Sequence, residues 1–391
     1  MHRKQLAEQY LTNEETLNKL AKEAYERSLY DIRASHIIFL VNESSTPQDT
    51  LKAYNKALEV RKEILNGKDF VQAAKEYSQD PSAIENKGDL GYFSVLRMVY
   101  PFETGAYNTA IGEVSLPIRS QFGYHLIKVF DKRKRQGAKE IAHIIIENKD
   151  ASQVEENKKK IDEVYNLLQK GENFEELVAK YSDDTSSNQK GGVISFYEPG
   201  NLSIDGIDEI VYDLKDVNEY SKPFKSQFGW HIVKLNAAAP IATYESVKEG
   251  FLRRVQSDSR SRIIKEHLTA DLKKKYNYKE NTTVLTKFSK SIENEVLKED
   301  WTASKSSKND VILATFSNQK VTSNEFLKYL EENRYKISNL SNAQNLVQLG
   351  FEDYVSDNLK TYYENNLENE FPEFKNTAQE FKEGLLLFDL M

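Results

Sequence analysis

Apolar and polar positions along this chain change period several times, and each change marks an element. His36, Ile38 and Leu40 alternate with Ile37, Phe39 and Val41, a two-residue period that predicts a strand over 33–41. Leu51, Tyr54, Leu58 and Leu65 share one face of a helix over 51–66, and Phe70, Ala73, Ala74 and Tyr77 share one face of a second helix. A tight turn at GDLG (88–91), a short helix from Pro101 to Tyr107 and a closing strand over 122–130 follow. The order β-α-α-α-β-β predicts an α+β unit, a small antiparallel sheet with surrounding helices.

The pattern is then written a second time. RASHIIFLV (33–41) returns as EIAHIIIEN (140–148), and NGKDFVQAAKEYSQD (66–80) returns as KGENFEELVAKYSDD (170–184). KGDLGYF (87–93) matches KGGVISF (190–196), and SQFGYH (120–125) returns as SQFGWH (226–231). Order is kept and length changes fall in loops, so two copies of one domain are expected, over 32–133 and 137–237.

The flanks read as mainly helical. Leu17, Leu20, Ala24 and Leu29 recur at helical spacing over 13–31, with a capping box from Thr12 to Glu15. Residues 244–276 read as a charged helical stretch. Residues 310–333 read as strand, turn, strand and a helix opened by a Thr322 to Glu325 box, and helices over 341–368 and 374–391 close the chain. The expected division is a helical segment 1–31, the two copies, a helical connector 240–280 and a mainly helical region 281–391. Their apolar content is sparse, so these flanks are expected to pack against something else.

Composition narrows the function. The 391 residues carry a formal charge of −7, which provides no bulk basic surface for a phosphate backbone and argues against nucleic acid as partner. The run Lys132, Arg133, Lys134 and Arg135 reads as a solvated linker between the copies. With 0 cysteines there is no disulfide or thiolate chemistry, and the 6 histidines show no ligand spacing, so neither a metal nor another cofactor is implied. No stretch approaches the ~18 apolar residues of a membrane span, so the chain is not expected to be membrane-embedded. It opens without the apolar middle of a secretion signal and stops in the apolar run EGLLLFDLM, so it reads as a piece of a longer protein whose signal peptide lies outside it.

The candidate chemistry sits where apolar strands carry histidine. If the first and last strands of the first copy are neighbours, His36 and His125 pair across the sheet, one imidazole donating to the other, with Asp80 at the rim. The plainer alternative is a satisfied core pair without chemistry. Leu90, Phe93, Met98 and Phe102 lie around it and, on spacing alone, would more often be ordinary core.

His36 in ASHII, Asp80 in YSQDPS, GDLGYF, MVYPFE, GEVSLPI and FGYHLIKV together resemble the parvulin-type peptidyl-prolyl isomerases, in order and with near-matching gaps. The resemblance covers about 32–133 and again about 137–237. It implies that His36 and His125 are the paired histidines, that Asp80 stands where the family has Cys or Asp, and that Leu90, Met98 and Phe102 form a proline pocket walled by Phe93 and Phe122. The prolyl bond is held by a resonance barrier of ~18–20 kcal/mol, and only its twisted state has to be favoured. An apolar cup for the ring, with polar groups matched to the twisted amide, is enough in principle.

The second copy keeps His143, Asp184, Phe196, Phe228 and His231. In its GGVI string Val193 replaces the pocket leucine and Ile194 takes a glycine position, while Leu202 and Ile207 are the nearest stand-ins for Met98 and Phe102. A weakened groove is expected there. The loop NESSTPQDT (42–50) carries Glu43 and Asp49 and no basic residue, which argues against phosphate specificity.

Tandem parvulin copies between helical flanks resemble the SurA- and PrsA-like foldases of the bacterial cell envelope, as does ATFSNQKVTSNEFLKYL near 314–330. This implies a periplasmic isomerase and chaperone for unfolded, proline-containing polypeptides, with outer-membrane proteins as clients and catalysis mainly in the first copy. The rival reading is a non-catalytic holdase that uses both copies as peptide-binding modules.

Overall fold

Two helices lead into the first sheet, α1 (His2–Glu8) and α2 (Glu14–Ser28). The computed structural model describes residues 2–42, 45–197, 201–298, 300–306, 309–333 and 342–389. Helix α2 is capped one residue later than expected: Asn13, not Thr12, accepts the Thr16 N–H, at 2.8 Å.

The first copy contains β1 (Tyr30–Leu40), α3 (Pro47–Leu65), α4 (Phe70–Tyr77), α5 (Ala83–Asn86), β2 (Asp89–Phe93), α6 (Tyr100–Asn108), β3 (Ile118–Ser120) and β4 (Gly123–Lys134). Its antiparallel sheet has the order β2-β1-β4-β3. Of GDLG, expected as a turn, Gly88 ends the turn and Asp89 to Gly91 open β2. Helix α3 begins earlier than expected because Thr46 caps it and Pro47 fits its first turn. Its buried face is Ala57, Val60 and Ile64, while Leu51 and Leu65 of the expected face are exposed.

The second copy repeats this with β5 (Ala138–Glu147), α7 (Val154–Gln169), α8 (Phe174–Tyr181), β6 (Val193–Tyr197), α9 (Ile207–Asp213), β7 (Phe224–Lys225) and β8 (Gly229–Ala239), in the order β6-β5-β8-β7. The basic run is not a linker. Lys132, Arg133 and Lys134 end β4, and the Arg133 guanidinium lies 3.6 Å from the Tyr92 ring and 4.0 Å from that of Tyr212. The cation is drawn in because aromatic faces attract it and buried Asp31 pairs with it.

The flanks cover one another. Helix α2 packs against α10 (Tyr244–Ser257) through Leu17, Leu20, Ala24, Phe251 and Val255. The charged stretch is helical as expected but divided: Asp258 takes an extended backbone between α10 and α11 (Ser261–Lys275), and its carboxylate accepts the Arg260 N–H at 2.8 Å. Downstream, strands Ile312–Phe316 and Gln319–Thr322 lead into the helix Ser323–Glu332, whose Thr322–Glu325 capping box is formed as expected. Helix Ala343–Glu370 buries Leu346, Phe351, Val355, Leu359 and Leu367 in the largest core, which also takes in Ala7 of α1. The final helix is Pro372–Asp389, and the last expected positions, 390–391, lie outside the described residues.

Candidate functional site

Strand register decides how the histidines meet. Opposite His36 on β4 is Ile127, and opposite His125 on β1 is Ile38, so the two histidines are diagonal neighbours on one face of the sheet. Their rings lie 5.8 Å apart, 17° from parallel. They do not hydrogen-bond to each other; both Nδ1 atoms are buried without a protein partner. The expected imidazole-to-imidazole bond is therefore absent.

Each ring is held from its Nε2 side. The chain leaving α4 is pinned to β1 by Gln79 N–H donating to Ile38 O at 2.9 Å, which brings Asp80 Oδ2 to 2.9 Å from His36 Nε2. Burial by itself would raise the Asp80 carboxyl, but hydrogen bonds from the Ser82 N–H and hydroxyl, and from His36, hold it below the usual range. His125 Nε2 lies 2.7 Å from Ser120 Oγ, which also accepts the Phe122 N–H at 3.1 Å. Which of the two atoms donates in this bond follows the tautomer of the ring. Burial, with His36 and Arg119 nearby, pushes His125 down to about 3. It is neutral at physiological pH.

An apolar wall stands over these rings. Phe102 meets His36 edge-on at 5.7 Å and His125 edge-on at 5.2 Å. Phe93 and Phe102 are fully buried, whereas Leu90 and Met98 are partly open and Phe122 is half exposed. The first two belong to the domain core as well as to the wall; the other three are free to meet a ligand.

The second copy reproduces the polar set. His143 Nε2 is 2.8 Å from Asp184 Oδ2, and His231 Nε2 is 2.7 Å from Ser226 Oγ. Burial opposes ionisation of Asp184, but Ser186, Ser187 and His143 outweigh it and hold the carboxyl far down. The apolar positions of the two copies correspond with an offset of one residue from the match of KGDLGYF to KGGVISF. Gly88 O and Gly192 O receive the N–H groups of His36 and His143, so Gly192 is the partner of Gly88. Val193 then matches Asp89 rather than Leu90, Ile194 matches Leu90, and Phe196 matches Tyr92. Accordingly Val193 and Phe196 are exposed, while Ile194 and Tyr197 face the second sheet's core. Leu202 and Ile207 line that wall as expected, but Phe224 also stacks on His231 at 5.2 Å. Phe228 is half exposed, like Phe122. Positions 198–200 of the reshaped segment, and Glu43 in the first copy, lie outside the described residues.

Ser120, Ser226 and Phe224 escaped sequence reasoning. The signal for the serines was present, since each opens the repeated SQFG string five residues before its histidine.

Buried neutral histidines carry a pH consequence. His125 (about 3) and His231 (about 4) titrate below the ordinary 6.5, so the unfolded chain binds protons that the fold refuses as the pH falls from 6.5. Stability should therefore be lost in that window, by roughly 3 kcal/mol from His125 alone near pH 4. Asp31, raised to about 6 by burial, acts in the opposite sense between its ordinary value and 6. The thermal midpoint of the His125→Asn variant should fall less between pH 7 and pH 4 than that of the parent; equal slopes would refute this.

The chain matches models of the PPIC-type PPIase domain over residues 16–133 and again over 143–237. Among curated proteins it is 34% identical over 209 residues to Chaperone SurA of Methylococcus capsulatus, covering 52% of this chain and 45% of that one. It is 32% identical over 216 residues to Chaperone SurA of Hahella chejuensis, covering 54% and 49%. The chain thus spans about half the length of the curated relatives it matches. Among solved structures it is similar to the peptidylprolyl isomerase PrsA of Bacillus anthracis, at 35% identity over 30% of this chain and 52% of that one, with a TM-score of 0.25. With two such domains in tandem, each closing a histidine–aspartate pair and a histidine–serine pair over an apolar wall, the chain belongs to the parvulin, or PPIC-type, peptidyl-prolyl isomerase family.

Proposed function

We propose that this chain is a peptidyl-prolyl cis-trans isomerase whose working groove is in the first domain, joined to a chaperone body made by the helical flanks. The observation that carries the proposal is the pairing in that domain of a fixed polar cluster with partly open Leu90, Met98 and Phe122. The open apolar side chains grip a pyrrolidine ring. Asp80, His36 and His125 then face the amide as it twists, presenting fixed hydrogen-bonding groups rather than water. No covalent step is needed, so no nucleophile is required.

In the second domain, holding is favoured over turnover. Phe224 covers His231 there, and Ile207 replaces the larger Phe102 beside the rings. The likeness to envelope foldases extends the proposal to periplasmic, unfolded, proline-containing clients, outer-membrane proteins among them. Chaperone binding is assigned to the flanks, which carry no such cluster among the described residues.

The deciding experiment uses the intact chain. It should accelerate isomerisation of a proline tetrapeptide, and a Leu90→Ala/Met98→Ala variant should lose that rate yet still suppress aggregation of a urea-unfolded outer-membrane protein. No rate above background in the parent would end the isomerase reading. Loss of protection in step with loss of rate would end the separate assignment of chaperoning.

A further inference from the structure

The helix that brings Phe102 to the histidines is not held by its own domain alone. Glu103, the next residue on α6, is fully buried, and so is Arg260 from the break between α10 and α11. Arg260 Nη2 lies 2.5 Å from Glu103 Oε1, and Arg27 Nη1 of α2 lies 2.8 Å from the same oxygen. The other carboxylate oxygen accepts the Leu96 N–H at 2.7 Å. Leu96 is left-handed, at φ 63°, a conformation that costs a non-glycine residue and persists only where surroundings fix it. Two residues on is Met98. The Tyr100 N–H donates to Ser259 Oγ at 2.8 Å, and the Arg260 guanidinium lies 4.5 Å from the Tyr100 ring.

Both apolar parts of the groove, the Val95–Met98 loop and Phe102, are thus anchored through one carboxylate to flanking helices outside the domain. In the second domain the matching helix is tied instead to the first: Arg133 Nη2 donates to Asp208 O at 3.1 Å, and Arg33 pairs with Glu209. At the matching position Asp208 bonds to Tyr197 of its own sheet.

We propose that Glu103 and Arg260 are positioning residues for isomerisation: the buried ion pair holds Met98 and Phe102 at the spacing that grips the proline ring, so the helical flanks are part of the first domain's binding groove. This rests on the isomerase reading of that domain. A pair buried on both sides is worth little as net stability against an apolar replacement, yet removing one partner leaves a bare charge. Its effect here is to fix geometry. Misplacement by about an ångström is enough to cost one to two orders of magnitude in kcat/KM.

The test measures kcat and KM separately on the intact chain with a proline tetrapeptide. Glu103→Gln keeps shape and an acceptor for Leu96 but abolishes the charge, and it should raise KM about tenfold while kcat stays within about twofold. Arg260→Met should do the same, and Arg260→Lys should recover part of the loss. Arg262→Met, an exposed change of equal charge two residues on, should leave both constants alone. A merely unfolded fraction would lower kcat and leave KM unchanged, so poor folding of a variant is told apart from a misplaced groove. Unchanged KM in Glu103→Gln overturns the proposal, whatever happens to kcat. A parent chain without activity overturns the isomerase reading itself, and this inference with it.

Discussion

In the intact chain, Leu90→Ala combined with Met98→Ala should lower kcat/KM for prolyl isomerisation by about two orders of magnitude. Both side chains are partly open and pack on the edge of the first domain's core. Their removal takes away groove surface without hollowing the interior. Phe102 and Phe93 are unsuitable for this test: at 3% and 2% exposure, replacement by Ala costs about 3–5 kcal/mol of fold stability and confuses lost binding with lost structure. An apolar contact with the ring is worth about 1–3 kcal/mol, so losing two removes roughly 3 kcal/mol of transition-state binding, about a hundredfold in rate. The matching change in the second domain, Ile194→Ala with Leu202→Ala, should leave most of the rate. A loss below about threefold in the first pair, or an equal loss in the second, contradicts a working groove confined to the first domain.

A large stability effect should come from one methyl group. Gly88 is left-handed, at φ 76°, and a Cβ there would lie 2.5 Å from the carbonyl oxygen of His36. Gly91, three residues on, has nearly the same backbone (φ 65°), yet a Cβ would meet nothing within 4 Å. Gly91→Ala should therefore cost only the left-handed penalty of about 1–2 kcal/mol. Gly88→Ala adds a backbone collision on the catalytic candidate itself and should cost roughly 3 kcal/mol or more, with isomerase activity lost at the same time. Urea midpoints of the two variants give the comparison; equal shifts would mean that the collision relaxes freely. Gly192→Ala, whose Cβ would lie 2.4 Å from His143 O, should damage the second domain and spare the rate.

The repeat, the α+β class and the order of the chain's elements were legible because strands and short helices announce themselves through local period. What sequence missed was set by contacts distant along the chain. Leu51 and Leu65 look like the face of α3, but small Ala57 is what the sheet admits against it. In the second copy two adjacent glycines, Gly191 and Gly192, offer two alignments, and only the hydrogen bond from His143 N–H to Gly192 O chooses between them. Arg133 reads as a linker cation because nothing local shows that two tyrosine rings and Asp31 converge on it. The helix break at Asp258 is equally hidden, since the charges around it look solvent-facing until Arg260 meets Glu103. Of the polar cluster, the histidines and aspartates were visible as odd residues in apolar or capping positions. Ser120 recurs in both SQFG strings, but serine before a turn is ordinary, and its role shows only in the 2.7 Å approach to His125.

The mutual covering of the flanks sets an order of events during synthesis. Leu17, Leu20 and Ala24 of α2 find their partners in α10, and Ala7 of α1 finds its own in a core built largely on Ala343–Glu370. Both parvulin sheets, whose strands pair within about a hundred residues, can close as they emerge. The leading helices cannot. At about 5–20 residues per second they wait on the order of ten seconds or more with apolar faces open, until the helices beyond the second sheet are made and pack back on them. A nascent chain of this protein is thus itself a client for whatever shields apolar helices, until the segment after the second sheet has left the ribosome.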